Sequence, residues 1–242
     1  KMRKIIISLC LVIWGPALYA QVLNPKGSTY AGQDGALTNK QFNDMGGYPL
    51  PINDHSAIDG SPLLNASWGQ GIVRLKNGNY FSDSAIAYSL YEDKLFVKRN
   101  NLMYPVDQDI ASFSIEYPGN GSGSRIFSFQ NGFPGIDRND ENTFYQILYH
   151  GKDFTLLKWM HEKAELPYNY GVGSRRQYVL QQGYYAYSPT ENKMIYLGNK
   201  VTLKNLRKKL PQYVSKIETF DNSHKFKGND QGDIIKLFTF LN

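Results

Sequence analysis

Few residues of this chain have the types and spacing that catalysis requires. No serine lies in the Gly-x-Ser-x-Gly turn that exposes a hydrolase nucleophile, and Cys10 is the single cysteine. His55 lies between Asp54 and Asp59, and His150 falls in a predicted turn. The sequence therefore predicts a non-enzymatic protein with no catalytic residue and no cofactor. A pair of distant carboxylates, as glycosidases use, leaves no local pattern, so a carbohydrate-active enzyme stays an alternative.

His161 and Glu162 form an adjacent pair with the chemistry of a metal site, because zinc binds imidazole and carboxylate groups. No second histidine and no cysteine lies at helical spacing from them. The sequence therefore predicts no metal site.

Aromatic and basic residues give a stronger signal, and that signal favours binding. Aromatic rings stack on sugar faces, and arginine forks hold carboxylates. The polar connector 161–177 contains both residue types, and the chain from Lys200 onward has nine Lys and Arg residues against four acids. The alternatives are a partly ordered loop and a solvated helix face. The candidate binding surface consists of Tyr168, Tyr170, Arg175, Arg176, Arg207, Lys208 and Lys209.

The first twenty residues have the pattern of a secretory signal peptide. Lys1, Arg3 and Lys4 precede a short apolar run, and small residues lead to a predicted cleavage after Ala20. Removing this segment lowers the net charge from +6 to +3, which argues against a nucleic-acid partner. We expect an exported protein, periplasmic or associated with the outer membrane, with no transmembrane span after cleavage.

Strands must position the candidate residues, because short apolar runs alternate with turn signals between Gly71 and Tyr117. Asn77-Gly78 is the strongest two-residue hairpin signal among them. A second hairpin is predicted around 150–153, and a further strand pair around Gln182-Gly183. The predicted fold is α+β and mainly β: an antiparallel meander, as a curled sheet or partial barrel, with a short C-terminal helical tail.

The hydrophobic period changes after Thr202, which is a plausible helix N-cap. Three short amphipathic helices are predicted, the last of them capped by Asp230. The predicted organisation is a signal peptide over 1–20, an irregular lead or strap over 21–67, a β domain over 68–198 and a helical segment over 199–242.

The segment that enters the β domain resembles a motif of secreted or periplasmic β-rich proteins from Bacteroidetes-type bacteria, a family with no known activity. The matching residues are Gly60, Pro62, Leu63, Leu64, Trp68, Gly71, Lys76, Asn77 and Gly78. The resemblance implies an exported β-rich protein and transfers no site residue. Asp83-Ser84-Ala85 also looks like the O-glycosylation site of exported proteins in such bacteria, with Ser84 as the acceptor.

Three functions are compatible with these features. The first is a non-enzymatic envelope binding or accessory protein that holds a protein partner or an anionic surface. The second is a barrel-like carrier of a small apolar ligand, since a curled amphipathic sheet can enclose a cavity. The third is a secreted carbohydrate-active enzyme with dispersed carboxylates.

Overall fold

The computed structural model describes residues 58–99, 102–119, 123–167, 171 and 175–242. The predicted signal peptide, the predicted lead up to residue 57, and Tyr168 and Tyr170 lie outside the described residues. The described residues form mainly strands, followed by three short helices. The predicted mainly β fold with a C-terminal helical tail is therefore confirmed.

The strands form one sheet that combines two antiparallel meanders. β2 to β5 are consecutive neighbours, as are β6 to β11, and β6 joins the two sets by pairing with β2. β1 pairs with β10 and is parallel to it. β5 and β1, at the two ends of the strand order, do not pair with each other in the described part of the chain, so the sheet is open. The strands are β1 Ile58–Asp59, β2 Gly69–Leu75, β3 Tyr80–Ser89, β4 Lys94–Arg99, β5 Leu102–Pro105, β6 Ile110–Tyr117, β7 Arg125–Gln130, β8 Tyr145–His150, β9 Thr155–Glu165, β10 Arg176–Ser188 and β11 Lys193–Gly198.

The β2–β3 hairpin forms at the predicted Asn77-Gly78 turn. Gly78 has a φ of 89°, and its N–H donates to the carbonyl of Leu75 at 3.0 Å. Glycine adopts this left-handed conformation without steric cost, which is why the sequence signal is reliable here.

The predicted strand pair around Gln182-Gly183 is wrong, because β10 runs unbroken through these residues. Gly183 lies directly opposite Trp159 of β9. A Cβ at this position would lie 3.0 Å from the ring of Tyr196 and 3.2 Å from that of Tyr185. The glycine therefore makes room for aromatic rings on the sheet and does not form a turn.

Aromatic side chains from β3, β6, β7 and the segment before β8 pack against one another. The rings of Tyr88, Phe113, Phe129 and Phe144 lie with centroids 4.9–6.2 Å apart, mostly edge to face. Such contacts add about 0.5–1.5 kcal/mol per pair to the burial of the rings. This space is therefore a packed core.

The sheet curls until the β3–β4 turn reaches β9. The N–H of Leu90 donates to the carbonyl of Pro62 at 2.8 Å, and its carbonyl accepts from the N–H of Glu162 at 3.0 Å. These two bonds connect the end of β3 to the segment after β1 and to the far end of β9.

Three helices cover one face of β8 to β11: α1 Leu203–Lys209, α2 Val214–His224 and α3 Gln231–Leu241. The predicted caps form, because Thr202 accepts from the N–H of Asn205 and Asp230 accepts from the N–H groups of Gly232 and Asp233. The buried side chains of α3 are Ile234, Leu237, Phe238 and Leu241, and they pack with Leu156 and Ala186 of the sheet. Each such side chain contributes about 1.5–3 kcal/mol through burial.

The end of α3 is attached to the β8–β9 turn by Asn242. Its Oδ1 accepts from the N–H groups of Asp153 and Phe154 at 2.7 and 2.8 Å, and its Nδ2 donates to the carbonyl of Phe238 at 2.7 Å. A Cβ on Gly151 would lie 2.3 Å from this amide, so the contact requires glycine in the turn.

Candidate binding surface

The helical layer presents six exposed lysines that form no ion pair with any described residue. We call them the lysine face: Lys200, Lys204, Lys208, Lys209, Lys225 and Lys227. Lys204 and Lys208 are one helical turn apart on α1, and Lys209 ends that helix. Since side chains four residues apart on a helix are neighbours, α1 presents a row of positive charge to solvent.

The loop after α2 brings the remaining lysines to α1. The N–H of Val201 donates to the carbonyl of Gly228 at 3.1 Å. A Cβ on Gly228 would lie 1.4 Å from the carbonyl oxygen of Val201, so only glycine permits this approach. The contact brings Lys227, which directly precedes Gly228, close to Lys200, which directly precedes Val201, and Lys225 lies two residues before Lys227.

The four acids of the same region are engaged within it. Glu218 pairs with Arg207 at 3.5 Å, and Asp221 accepts from the N–H of Phe226 at 3.1 Å. Asp230 caps α3, while Asp233 pairs with Lys236 at 3.6 Å. Among the described residues none of these carboxylates forms an ion pair with the lysine face, and nine Lys and Arg minus four acids leave the chain from Lys200 onward with an excess of five positive charges.

The predicted binding surface is divided between two places. Arg175 pairs with Asp59 at 3.3 Å, next to the β1–β10 contact, and Arg176 lies opposite Ile58. Arg207 pairs across to α2, and Lys208 and Lys209 belong to the lysine face.

The separation follows from the length of β10. The last β11 residue before α1, Gly198, lies opposite Tyr184, which is eight residues along β10 from Arg176. At about 3.3 Å per residue this is roughly 26 Å. The arginines of β10 and the basic residues of α1 therefore form separate surfaces.

Ser84, the predicted modification site, lies within β3 opposite Gly71 and is half-buried. Its hydroxyl donates to the carbonyl of Ser82 at 3.4 Å. Its backbone is therefore held in the sheet.

Glu162 is a titratable residue of β9 whose pKa departs from its ordinary value. From the sequence, it was of interest only as a metal ligand. Its side chain is partly buried, and its Oε2 has no hydrogen-bond partner among the described residues. Burial raises the pKa of this carboxyl to about 7. The Tyr178 phenol is close enough for Glu162 to raise its pKa, after the larger effect of its own burial.

His161 and Glu162 cannot bind one metal ion together, because neighbours in a strand point to opposite faces of the sheet. His161 stacks on Trp159 with ring centroids 5.8 Å apart. No group of three or more His, Cys, Asp or Glu side chains suited to a metal ion occurs among the residues that the structure describes.

Asp93 is a second carboxyl with a perturbed pKa. It lies in the β3–β4 turn with a φ of 54°, and its Oδ1 accepts a hydrogen bond from the phenol of Tyr88. Burial raises the pKa of Asp93, and both this hydrogen bond and the nearby His161 oppose the rise. Because His161 points away from the Glu162 face, the two acids do not converge on one cleft as a glycosidase pair would.

No protein-family model, curated protein or solved structure matches the chain. The resemblance to the secreted family therefore stays a prediction from its motif. Within the described residues, none of the helices has the length and apolar character needed to cross a membrane.

Proposed function

We propose that the protein is a non-enzymatic, exported binding protein of the cell envelope that holds an anionic surface through its lysine face. The observation that carries the proposal is the set of six exposed lysines beside acids that are already engaged. Each lysine near an anionic lipid surface contributes about 1 kcal/mol to binding. Lysine is a flexible point charge, which suits a diffuse layer of headgroups.

An exposed aromatic residue beside the lysine face supports lipid as the anionic surface. Phe240 is 44% exposed, and its ring lies 5.7 Å from that of Phe220. Phe220 stacks on His224, which directly precedes Lys225. Aromatic rings beside basic residues favour the boundary between headgroups and acyl chains.

The carrier alternative has less support, because the aromatic rings of Tyr88, Phe113 and Phe129 occupy the space that an apolar ligand would need. The carbohydrate-active alternative needs two carboxyls that face one cleft, whereas Asp93 lies near His161, on the face of β9 opposite to Glu162. Neither the packed aromatic rings nor the positions of the two carboxyls favour these functions over binding.

Charge reversal on vesicles tests the proposal. We expect the triple variant Lys200→Glu, Lys204→Glu and Lys208→Glu to bind vesicles containing phosphatidylglycerol about 100-fold more weakly than the unchanged chain. The matched control is Lys94→Glu, Lys98→Glu and Lys163→Glu, which alters the net charge equally at exposed strand positions. Equal weakening in both variants would contradict the proposal. So would binding of the unchanged chain to phosphatidylcholine vesicles as tightly as to phosphatidylglycerol vesicles.

A further inference from the structure

β10 has an open stretch of edge between its two neighbours. β1 pairs with β10 only at Arg176 and Gln177, and β11 pairs with it only from Tyr184 onward. Residues 179–183 therefore have β9 on one side and no strand on the other within the described part of the chain.

Two glycines end the neighbouring strands at this gap. After β1, Gly60 has a φ of 99°, and the chain turns past Tyr178 toward the β3–β4 turn. After β11, Gly198 has a φ of 119° and leads the chain toward α1. Residues with side chains rarely adopt these φ values, so the sequence directs both neighbours away from the edge.

The hydrogen bonds of β9 determine which backbone groups of β10 face the gap. The N–H of Glu162 donates to Leu90, on the side of β9 away from β10. In an antiparallel pair of strands, the N–H and carbonyl groups of two directly opposed residues either bond to each other or both point away from the partner strand. Leu180, opposite Glu162, therefore directs its N–H and carbonyl into the gap, and so does Gln182, two residues further on.

The side chains at the edge indicate what would bind there. Leu180 is 48% exposed in the middle of the gap, and Glu162 lies on the same face, one strand away. A side chain on an added strand beside Leu180 would lie about 10 Å from Glu162, a distance that a lysine or arginine and a glutamate bridge together. The carboxyl oxygen of Glu162 that no described residue satisfies would then receive a hydrogen bond.

We propose that the β10 edge at Leu180 and Gln182 binds an extended peptide segment of a partner protein as an added antiparallel strand, with a basic residue opposite Leu180 that reaches Glu162 and apolar residues two positions away on the same face. Up to four backbone hydrogen bonds would form, and the side chains would select the sequence. This site is separate from the lysine face and does not depend on it.

The probe is a blocked hexapeptide Thr-Val-Thr-Lys-Thr-Val, which as a strand presents two valines and the lysine on one face, and the peptide with glutamate in place of the lysine is the matched probe. We expect the lysine peptide to bind at least about tenfold more tightly, measured by fluorescence anisotropy. Amide hydrogen exchange should show new protection at Leu180 and Gln182. Equal binding of the two peptides, no binding of either, or protection elsewhere only would overturn the proposal.

Two variants separate the backbone contribution from the charge contribution. Leu180→Pro removes an N–H that points into the gap and leaves the hydrogen bonds to β9 intact, and proline is tolerated at such edge positions. This variant should bind the lysine peptide about tenfold or more weakly than the unchanged chain. Glu162→Gln should remove the preference for lysine over glutamate, whereas Glu165→Gln on the same strand should keep it. Cooperative urea unfolding checks that the variants fold, and a folded Leu180→Pro chain with unchanged peptide affinity would refute the proposal.

A second copy of the chain is the competing occupant of the edge. In that case Leu180 and Gln182 would already be protected in the protein alone, and the protection would disappear on dilution. That result would also overturn the proposal.

Discussion

Replacing Glu162 by glutamine should stabilise the protein at high pH and not at low pH. The folded protein holds the carboxyl at a pKa of about 7, above its ordinary value of 4.5, because burial disfavours the ionised form. At a pH below 4.5 the group is protonated in both the folded and the unfolded chain. Between pH 4.5 and 7 the unfolded chain ionises while the folded protein keeps the proton, so stability falls as the pH rises and becomes constant above 7, where the folded protein holds a partly buried charge.

The expected size of this effect follows from the two pKa values. A change from 4.5 to about 7 corresponds to an upper limit of about 3.4 kcal/mol in the free energy of unfolding. Glu162 is only partly buried, and water screens its charge. We therefore expect the glutamine variant to gain about 1 kcal/mol relative to the unchanged chain between roughly pH 5 and pH 8.

Urea unfolding of the full chain at both pH values measures this difference, and subtracting the two proteins removes the other titrating groups. Glu165→Gln is the control, because it makes the same chemical change at an exposed position of β9. A stability difference between Glu162→Gln and the unchanged chain that stays constant from low to high pH would refute the reasoning. A variant that loses stability as the pH rises would refute it as well.

Three further substitutions test the contacts of the helical layer. Asn242→Ala should lower the free energy of unfolding by about 1–2 kcal/mol in urea, because two backbone N–H groups lose their acceptor; an unchanged midpoint would contradict this. Gly228→Ala should cost about 3 kcal/mol and weaken vesicle binding, because the new Cβ displaces the loop from Val201; full vesicle affinity would show that the contact does not assemble the lysine face. Asp230→Ala should cost about 1 kcal/mol and increase amide exchange in the first turn of α3, and unchanged exchange there would exclude a capping role.

Local chemistry was enough to predict much of this fold. Asn77-Gly78 specifies a turn by backbone conformation, and Thr202 and Asp230 specify helix starts by hydrogen bonding. These signals act within a few residues, so tertiary contacts do not alter them. Gly183 failed as a turn signal because its role is steric: it admits the ring of Tyr196, which comes from another strand.

The candidate sites depend on contacts that no local pattern contains. The N–H of Glu162 donates to the carbonyl of Leu90, which the curl of the sheet brings to β9 from a distant part of the sequence. The excess of lysine near the C-terminus was visible in the sequence. Its arrangement as a face was not, because that required knowing that Glu218 pairs with Arg207 and that Gly228 contacts Val201.

The most direct test of the central claim is to locate the surface that meets an anionic membrane. With Cys10 replaced by serine, an environment-sensitive fluorophore would be attached through either Lys208→Cys on α1 or Lys98→Cys on β4. The account predicts that phosphatidylglycerol vesicles shift the emission of the label at position 208 to shorter wavelength and leave the label at 98 unchanged. A shift at 98 alone, equal shifts at both positions, or no shift at 208 would contradict it.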